Sequence, residues 1–97
     1  MNTQHRHRPL PLDCLRSFEA VARHLNFSAA ADELHLTQPA MSRQIQRLED
    51  DLGTALFTRG TRRVALTAAG HSLIRVVEPM LARLDATVRQ IRLAQGR

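Results

Sequence analysis

The sequence predicts a mainly α-helical domain: a three-helix core, a two-stranded hairpin and a long closing helix. Three observations point there. Apolar residues recur at three- and four-residue spacing in separate stretches of the chain. One interval, residues 54–66, breaks that period and reads as two short strands around a basic, Gly-containing tip. The chain is also 43% hydrophobic with no Trp, no Tyr and three Phe, so Leu, Val, Ile, Met and Ala must fill the core, which favours packed helices over a sandwich. Ninety-seven residues suffice for one compact domain but not for a second, ligand-binding one.

Residues 1–11 are polar, basic and broken by Pro9 and Pro11, and read as a flexible basic arm. From Leu12 the pattern turns helical: Leu12, Leu15, Phe18, Val21, Ala22 and Leu25 share one face, and Asn26-Phe27 ends the element. Ser28 is placed to cap a second, short helix from Ala29 to about His35, its hydroxyl accepting an orphan backbone N–H. Leu36-Thr37 leaves room only for a tight turn. Thr37 then caps a third helix with Pro39 in its first turn, where the missing N–H costs nothing. Met41, Ile45, Leu48 and Leu52 line one face of it, Ser42, Arg43, Gln46 and Arg47 occupy the others, and Gly53 supplies the stop.

Leu56-Phe57 and Val64-Ala65-Leu66 form the hairpin, which completes a domain over residues 12–66. Thr67 caps a fourth helix that runs to about Ala94 and makes residues 67–95 a linker or dimerisation helix. Its apolar stripe is Leu73, Val77, Met80, Leu81, Leu84, Val88 and Ile91, and Pro79 inside it should bend it. Such a helix exceeds what a small core needs. A copy of itself is the simplest thing for the stripe to bury against, so these seven residues are the expected dimer interface.

The charge balance indicates a partner. Net charge is +5, and all fourteen basic residues are Arg. Arg offers a planar fork of donors matched to phosphate and to guanine edges, so an all-Arg surface fits nucleic acid; a genomic composition bias would exclude Lys equally well. Two short helices joined by a tight turn, the second exposing polar and Arg side chains, describe a helix-turn-helix. Ala29, Ala30 and Ala31 let the paired helices approach, while Leu34 and Leu36 plug the angle between them. Gln38, Ser42 and Arg43 lie near the N-terminal end of the third helix, where backbone N–H groups and the helix dipole favour phosphate. Glu49-Asp50-Asp51 crowd the other end, which phosphate would repel.

Enzyme chemistry has little support. There is no Gly-rich phosphate loop and no Gly-x-Ser-x-Gly elbow, and Gly70-His71-Ser72 lacks an acid partner at a telling distance. Cys14 alone cannot build a zinc finger or an intramolecular disulfide, and the five His lack metal-ligand spacing, so neither cofactor nor metal is expected. His5-Arg6-His7-Arg8 reads as a solvated arm. No apolar run approaches the roughly 20 residues that span a bilayer, and no signal-like core follows the arm. A cytoplasmic, soluble protein in a reducing compartment is expected.

Phe27-Ser28-Ala29-Ala30-Ala31 and the run Leu34 to Ile45, with Leu48-Glu49, Leu52-Gly53, Leu56-Phe57, Arg59, Leu66-Thr67 and Ala69-Gly70, resemble the LysR-type transcriptional regulators in residue and spacing. The opening Leu10-Pro11-Leu12, Leu15-Arg16 and Phe18-Glu19-Ala20 is similar to the branch of glycine-cleavage and β-lactamase regulators. The resemblance covers roughly residues 10–95. It implies a winged helix-turn-helix followed by a dimerising helix, a double-stranded DNA partner, a homodimer through the linker helix and a tetramer in a full-length protein. Family members typically continue into a periplasmic-binding-protein-like effector domain absent from these residues, so this chain is expected to be a piece of a longer one.

The resemblance also implies site residues. Gln38, Pro39, Ser42 and Arg43 would face the major groove, and Arg62 at the hairpin tip would reach the neighbouring minor groove. Thr37 and Thr67 would be caps that also touch phosphate. Arg47 and Arg59 serve phosphate or intramolecular ion pairs equally well, and Arg63 reads as a solvated charge with a diffuse phosphate role.

Overall fold

The first helix, α1 (Leu12–His24), follows Pro11, whose fixed φ of −66° suits an extended entry and whose carbonyl accepts the first helical bond from Leu15 N–H at 3.1 Å. The structure is a computed structural model that describes residues 9–60 and 63–96; the arm over residues 1–8, Thr61, Arg62 and Arg97 lie outside the described residues. The face α1 buries is not quite the one its leucines predict. Cys14, Ser17, Phe18, Ala20 and Val21 are buried, while Leu12 and Leu25 stand 45% and 47% exposed. Burial pushes the Cys14 thiol above its ordinary value, against the opposing pull of Arg47. Ser17 is tolerated inside because its hydroxyl donates to the side-chain carbonyl of Gln44, on the third helix. Leu25 ends α1 in the left-handed region at φ 51° and so turns out of the stripe.

The second helix, α2 (Phe27–Glu33), begins two residues earlier than its expected Ser28 cap allows. Asn26 is the cap: its Oδ1 accepts from Ala29 N–H at 2.9 Å. Asn and Ser are comparable caps. The tertiary structure decides between them, because a start at Phe27 turns that ring towards Phe57. Ala30 and Ala31 are buried, so α2 lies close against its neighbours, and Leu34 and Leu36 pack onto the core. His35 takes a left-handed φ of 57° in the turn.

The third helix, α3 (Gln38–Leu52), starts and stops as its sequence demands: Thr37 Oγ accepts from Ala40 N–H at 3.2 Å, and Gly53 closes it at φ 73°. Met41, Ile45 and Leu48 are wholly buried. At about 1.5–3 kcal/mol for each such side chain, these three hold α3 firmly onto α1 and α2. Leu52, the expected fourth member of that face, is 42% exposed.

Two short strands follow, β1 (Phe57–Arg59) and β2 (Val64–Leu66), paired antiparallel with Phe57 opposite Leu66. Gly60 N–H donates to the Arg63 carbonyl at 2.9 Å and closes the ribbon towards its tip. The last helix, α4 (Ala68–Gln95), is capped by Thr67 and continues through Pro79. Gly70 has to be glycine: a Cβ there would sit 2.2 Å from the Leu56 carbonyl oxygen and 2.8 Å from Leu66 Cδ2. Its 28 residues give a rod about 42 Å long, which accounts for most of the molecule's 49 Å longest dimension. The arrangement is a winged helix-turn-helix with a long helix behind it.

The core does not stop at Leu66. Val77 and Leu81 of α4 are 2% and 5% exposed within this one chain, and Leu73 packs on the same cluster. Three residues expected to wait for a partner are therefore used by the domain itself, since α4 lies back across α1. Beyond them, Arg16 donates both terminal nitrogens to Asp85, at 3.2 and 2.9 Å, which ties α1 to the outer part of α4.

Candidate nucleic-acid interface

The first turns of α3 present Gln38, Pro39 and Arg43 to solvent, with Ser42 half-buried behind them. No hydrogen bond or ion pair engages the side chain of Gln38 or Arg43 among the described residues. The opposite end of the same helix is differently employed. Glu49, one of the three acidic residues at that end, folds inward: its Oε2 accepts from Leu56 N–H at 2.8 Å and Phe57 N–H at 3.4 Å. Asp50 accepts from Gln46 at 2.9 Å, which removes Gln46 from the free polar face.

The fold brings the open end of α3 together with two other elements. Asn26 and Ser28 at the start of α2, Gln38 at the start of α3, and Gly60 and Arg63 at the base of the hairpin line one shallow cleft. Arg63 is exposed and without an ion-pair partner among the described residues. The cleft thus carries a cation, amide and hydroxyl groups beside the open turn of a helix, a donor-rich setting for an anionic strand. Ser28 was legible only as a cap, yet its place in the cleft comes from α2 starting early. No local signal could have shown that.

Other expected contacts are already occupied. The Thr67 hydroxyl donates to the Ala55 carbonyl at 2.7 Å and accepts from Gly70 N–H at 3.0 Å, so both its roles are spent on the strand-to-helix corner. Arg59 stacks over the Phe27 ring, 4.7 Å from its centroid, with Nη2 3.8 Å from Glu49. Thr37 uses its acceptor as a cap. Arg47 is exposed on α3, a little over one turn beyond Arg43. Arg62 lies outside the described residues. Away from the cleft, Arg23 bonds Glu19 and Glu33 at 2.6–2.9 Å and His24 Nε2 lies 2.7 Å from Glu33. The Arg23 hydrogen bonds hold the Glu33 carboxyl down at about 2.

Residues 12–71 match the family model of bacterial regulatory helix-turn-helix proteins of the lysR family. The chain belongs to that family. Among curated lysR-family relatives it is 44% identical over 90 residues to the HTH-type transcriptional activator AmpR of Providencia stuartii, covering 93% of this chain and 30% of that protein. It is 46% identical over 88 residues to the glycine cleavage system transcriptional activator of Escherichia coli K12, covering 89% and 29% respectively. A RuBisCO operon transcriptional regulator of Acidithiobacillus ferrooxidans is 42% identical over 89 residues. The chain spans less than a third of the length of each of these relatives.

Solved structures agree. The BenM DBD bound to catB site 1 DNA superposes with a TM-score of 0.79 at 41% identity, over 90% of this chain and 99% of that one. The CbnR DBD–DNA complex gives 0.74 at 39%, over 88% and 98%. The lysR-family relatives named here are transcriptional regulators, not enzymes. Among the described residues no group of three His, Cys, Asp or Glu could hold a metal, and no helix is long and apolar enough to cross a membrane.

Proposed function

We propose that this chain is the DNA-binding module of a cytoplasmic transcription regulator and reads duplex DNA in a sequence-specific way. The observation that carries it is the unpartnered polar turn of α3 beside Arg63 in one donor-lined cleft, on a fold shared with domains solved on DNA. The N-terminal turns of α3 enter the major groove. Arg43 and Gln38 reach base edges there, Ser42 and Pro39 pack beside them, and Arg47 meets phosphate. The strand between the grooves lies in the cleft against Ser28 and Arg63. Arg62, by its place in the sequence at the hairpin tip, enters the adjoining minor groove, where a narrow A·T-rich tract attracts a guanidinium. Thr67 and Arg59 are withdrawn from direct contact, because their groups are committed within the chain.

Two copies pair through what α4 leaves uncovered. Met80, Leu84 and Ile91 are 41%, 39% and 55% exposed, and Val88 is half-buried beside them. Leu12, Leu84 and Val88 share a groove where α1 meets the outer half of α4. Pairing these faces sets two recognition helices side by side for half-sites about one helical turn apart or a multiple of it. In a full-length protein two such dimers make the tetramer.

Titration of duplex DNA at rising salt tests the reading directly. Affinity must fall steeply as phosphate contacts release counterions, whereas apolar helix pairing would be indifferent. Selection from a random duplex pool then has to enrich a defined sequence. A pool that emerges unenriched would reject sequence-specific recognition.

A further inference from the structure

The short connection from α3 into the hairpin, residues 53–56, is closed from one side by one residue. The Glu49 carbonyl accepts from Gly53 N–H at 2.8 Å and Thr54 N–H at 3.2 Å. Its side chain, 11% exposed, accepts from Leu56 N–H and Phe57 N–H where β1 begins. Its second carboxylate oxygen lies 3.8 Å from Arg59 on that strand, and Arg59 stacks on Phe27 at the start of α2. Phe57, between them, meets Phe27 edge-on at 6.0 Å and Phe18 of α1 at 5.5 Å. A sheltered carboxylate on backbone N–H groups is a strong, directional tie, and a stacked guanidinium adds a second one.

These ties converge on the hairpin's first strand, not on its tip. We propose that Glu49 is a specificity-determining positioning residue: it locks the wing to the recognition helix and so decides which flanking base pairs the hairpin reaches, without touching DNA. Arg59 serves the same latch, drawn in over Phe27 instead of out to phosphate. The proposal rests on the DNA-binding reading above.

The test compares wild type with Glu49→Gln, Glu49→Ala and Arg59→Met on four duplexes: matched or mismatched in the core, each with A·T or G·C flanks. An amide oxygen can still accept from Leu56 N–H but cannot pair with Arg59, so the Gln variant should fall between wild type and Ala. In Glu49→Ala the preference for A·T flanks should shrink by about threefold or more, as expected when a wing no longer meets a narrow groove. Discrimination in the core should stay within about twofold, because α3 still presents Arg43. A merely structural role would lower the folded fraction and weaken all four duplexes alike, leaving both ratios unchanged. Should Glu49→Ala fail to fold, Arg59→Met, which keeps an apolar side chain over Phe27, must show the same selective loss. A wild type that prefers A·T flanks together with variants that keep the full preference overturns the latch alone. A wild type indifferent to its flanks overturns the latch and the minor-groove reading together, while steep salt dependence would still uphold DNA binding.

Discussion

The inner and outer halves of α4 carry the same apolar pattern and meet different surroundings. Over Ala68–Leu81 the helix places Gly70, Val77 and Leu81 inside the domain, with Leu73 and Ile74 packed beside them. Among the described residues from 82 to 96 no position is buried, and Leu84, Ile91 and Leu93 stand 39%, 55% and 66% exposed. Periodicity reports that a helix has an apolar face, but not whether its own chain or another covers it. The inner half is held by close packing. The outer half keeps one bidentate tie, Arg16 to Asp85, in which the guanidinium holds the Asp85 carboxyl below its usual range.

The largest expected effects break the inner half. Leu81→Ala should cost about 2–5 kcal/mol, since it empties a filled site. Gly70→Ala should cost about 1–3 kcal/mol or somewhat more, because backbone must move to admit the methyl group. Gly96→Ala at the exposed end should cost far less, its Cβ meeting the Arg92 carbonyl oxygen at 3.3 Å and the Leu93 carbonyl oxygen at 3.8 Å, where the last turn is free to shift. Urea midpoints of the three variants check the ranking. A Gly70→Ala protein as stable as wild type would mean that α4 does not approach the Leu56 carbonyl closely enough to exclude a methyl group.

Leu84→Arg sharpens the comparison from the other side. On the outer half a charge can be solvated in the single chain but not between paired helices. The variant should therefore be a folded monomer with near-normal contact to one half-site and much weaker binding to two. A dimer that persists at micromolar concentration in sedimentation would remove Leu84 from the interface.

The two ends of α3 differ in the same manner, one open and the other tied down. Arg43→Ala should cost about 1–3 kcal/mol on a selected site and little on random DNA, as loss of a base contact does. Arg63→Ala should weaken all sequences alike. Equal losses on both kinds of DNA for Arg43→Ala would make Arg43 a phosphate contact.

The smallest effect concerns the Arg23–Glu33 pair, neither of which lines the cleft. Glu33 is held near 2 from an ordinary 4.5, so its contribution is present above pH 4.5 and is lost as pH falls towards 2. With 37% of the side chain exposed, screening limits it to less than about 1 kcal/mol. Glu33→Gln should flatten the acid limb of a stability–pH curve between pH 4.5 and 2.5 and leave DNA binding at neutral pH unchanged.

Sequence alone determined the order and type of the elements, because their signals are local. Thr37 and Thr67 cap, Gly53 stops, Met41, Ile45 and Leu48 recur on one face, and Phe57–Arg59 pairs antiparallel with Val64–Leu66. The candidate reading turn, Gln38 to Arg43, was legible for the same reason. Tertiary structure decided the choices between locally equal options. Asn26 and Ser28 are both good caps, and Phe27 packing on Phe57 selected Asn26. Glu49 and Asp50 are neighbours of like charge, and only Glu49 lies where the N–H groups of Leu56 and Phe57, at the entry to β1, need an acceptor. Val77 and Leu84 share one stripe, and the path of α1 across α4 covered the first and left the second open. Local rules set conformation through bonds a few residues long, whereas burial depends on residues that only the fold brings near.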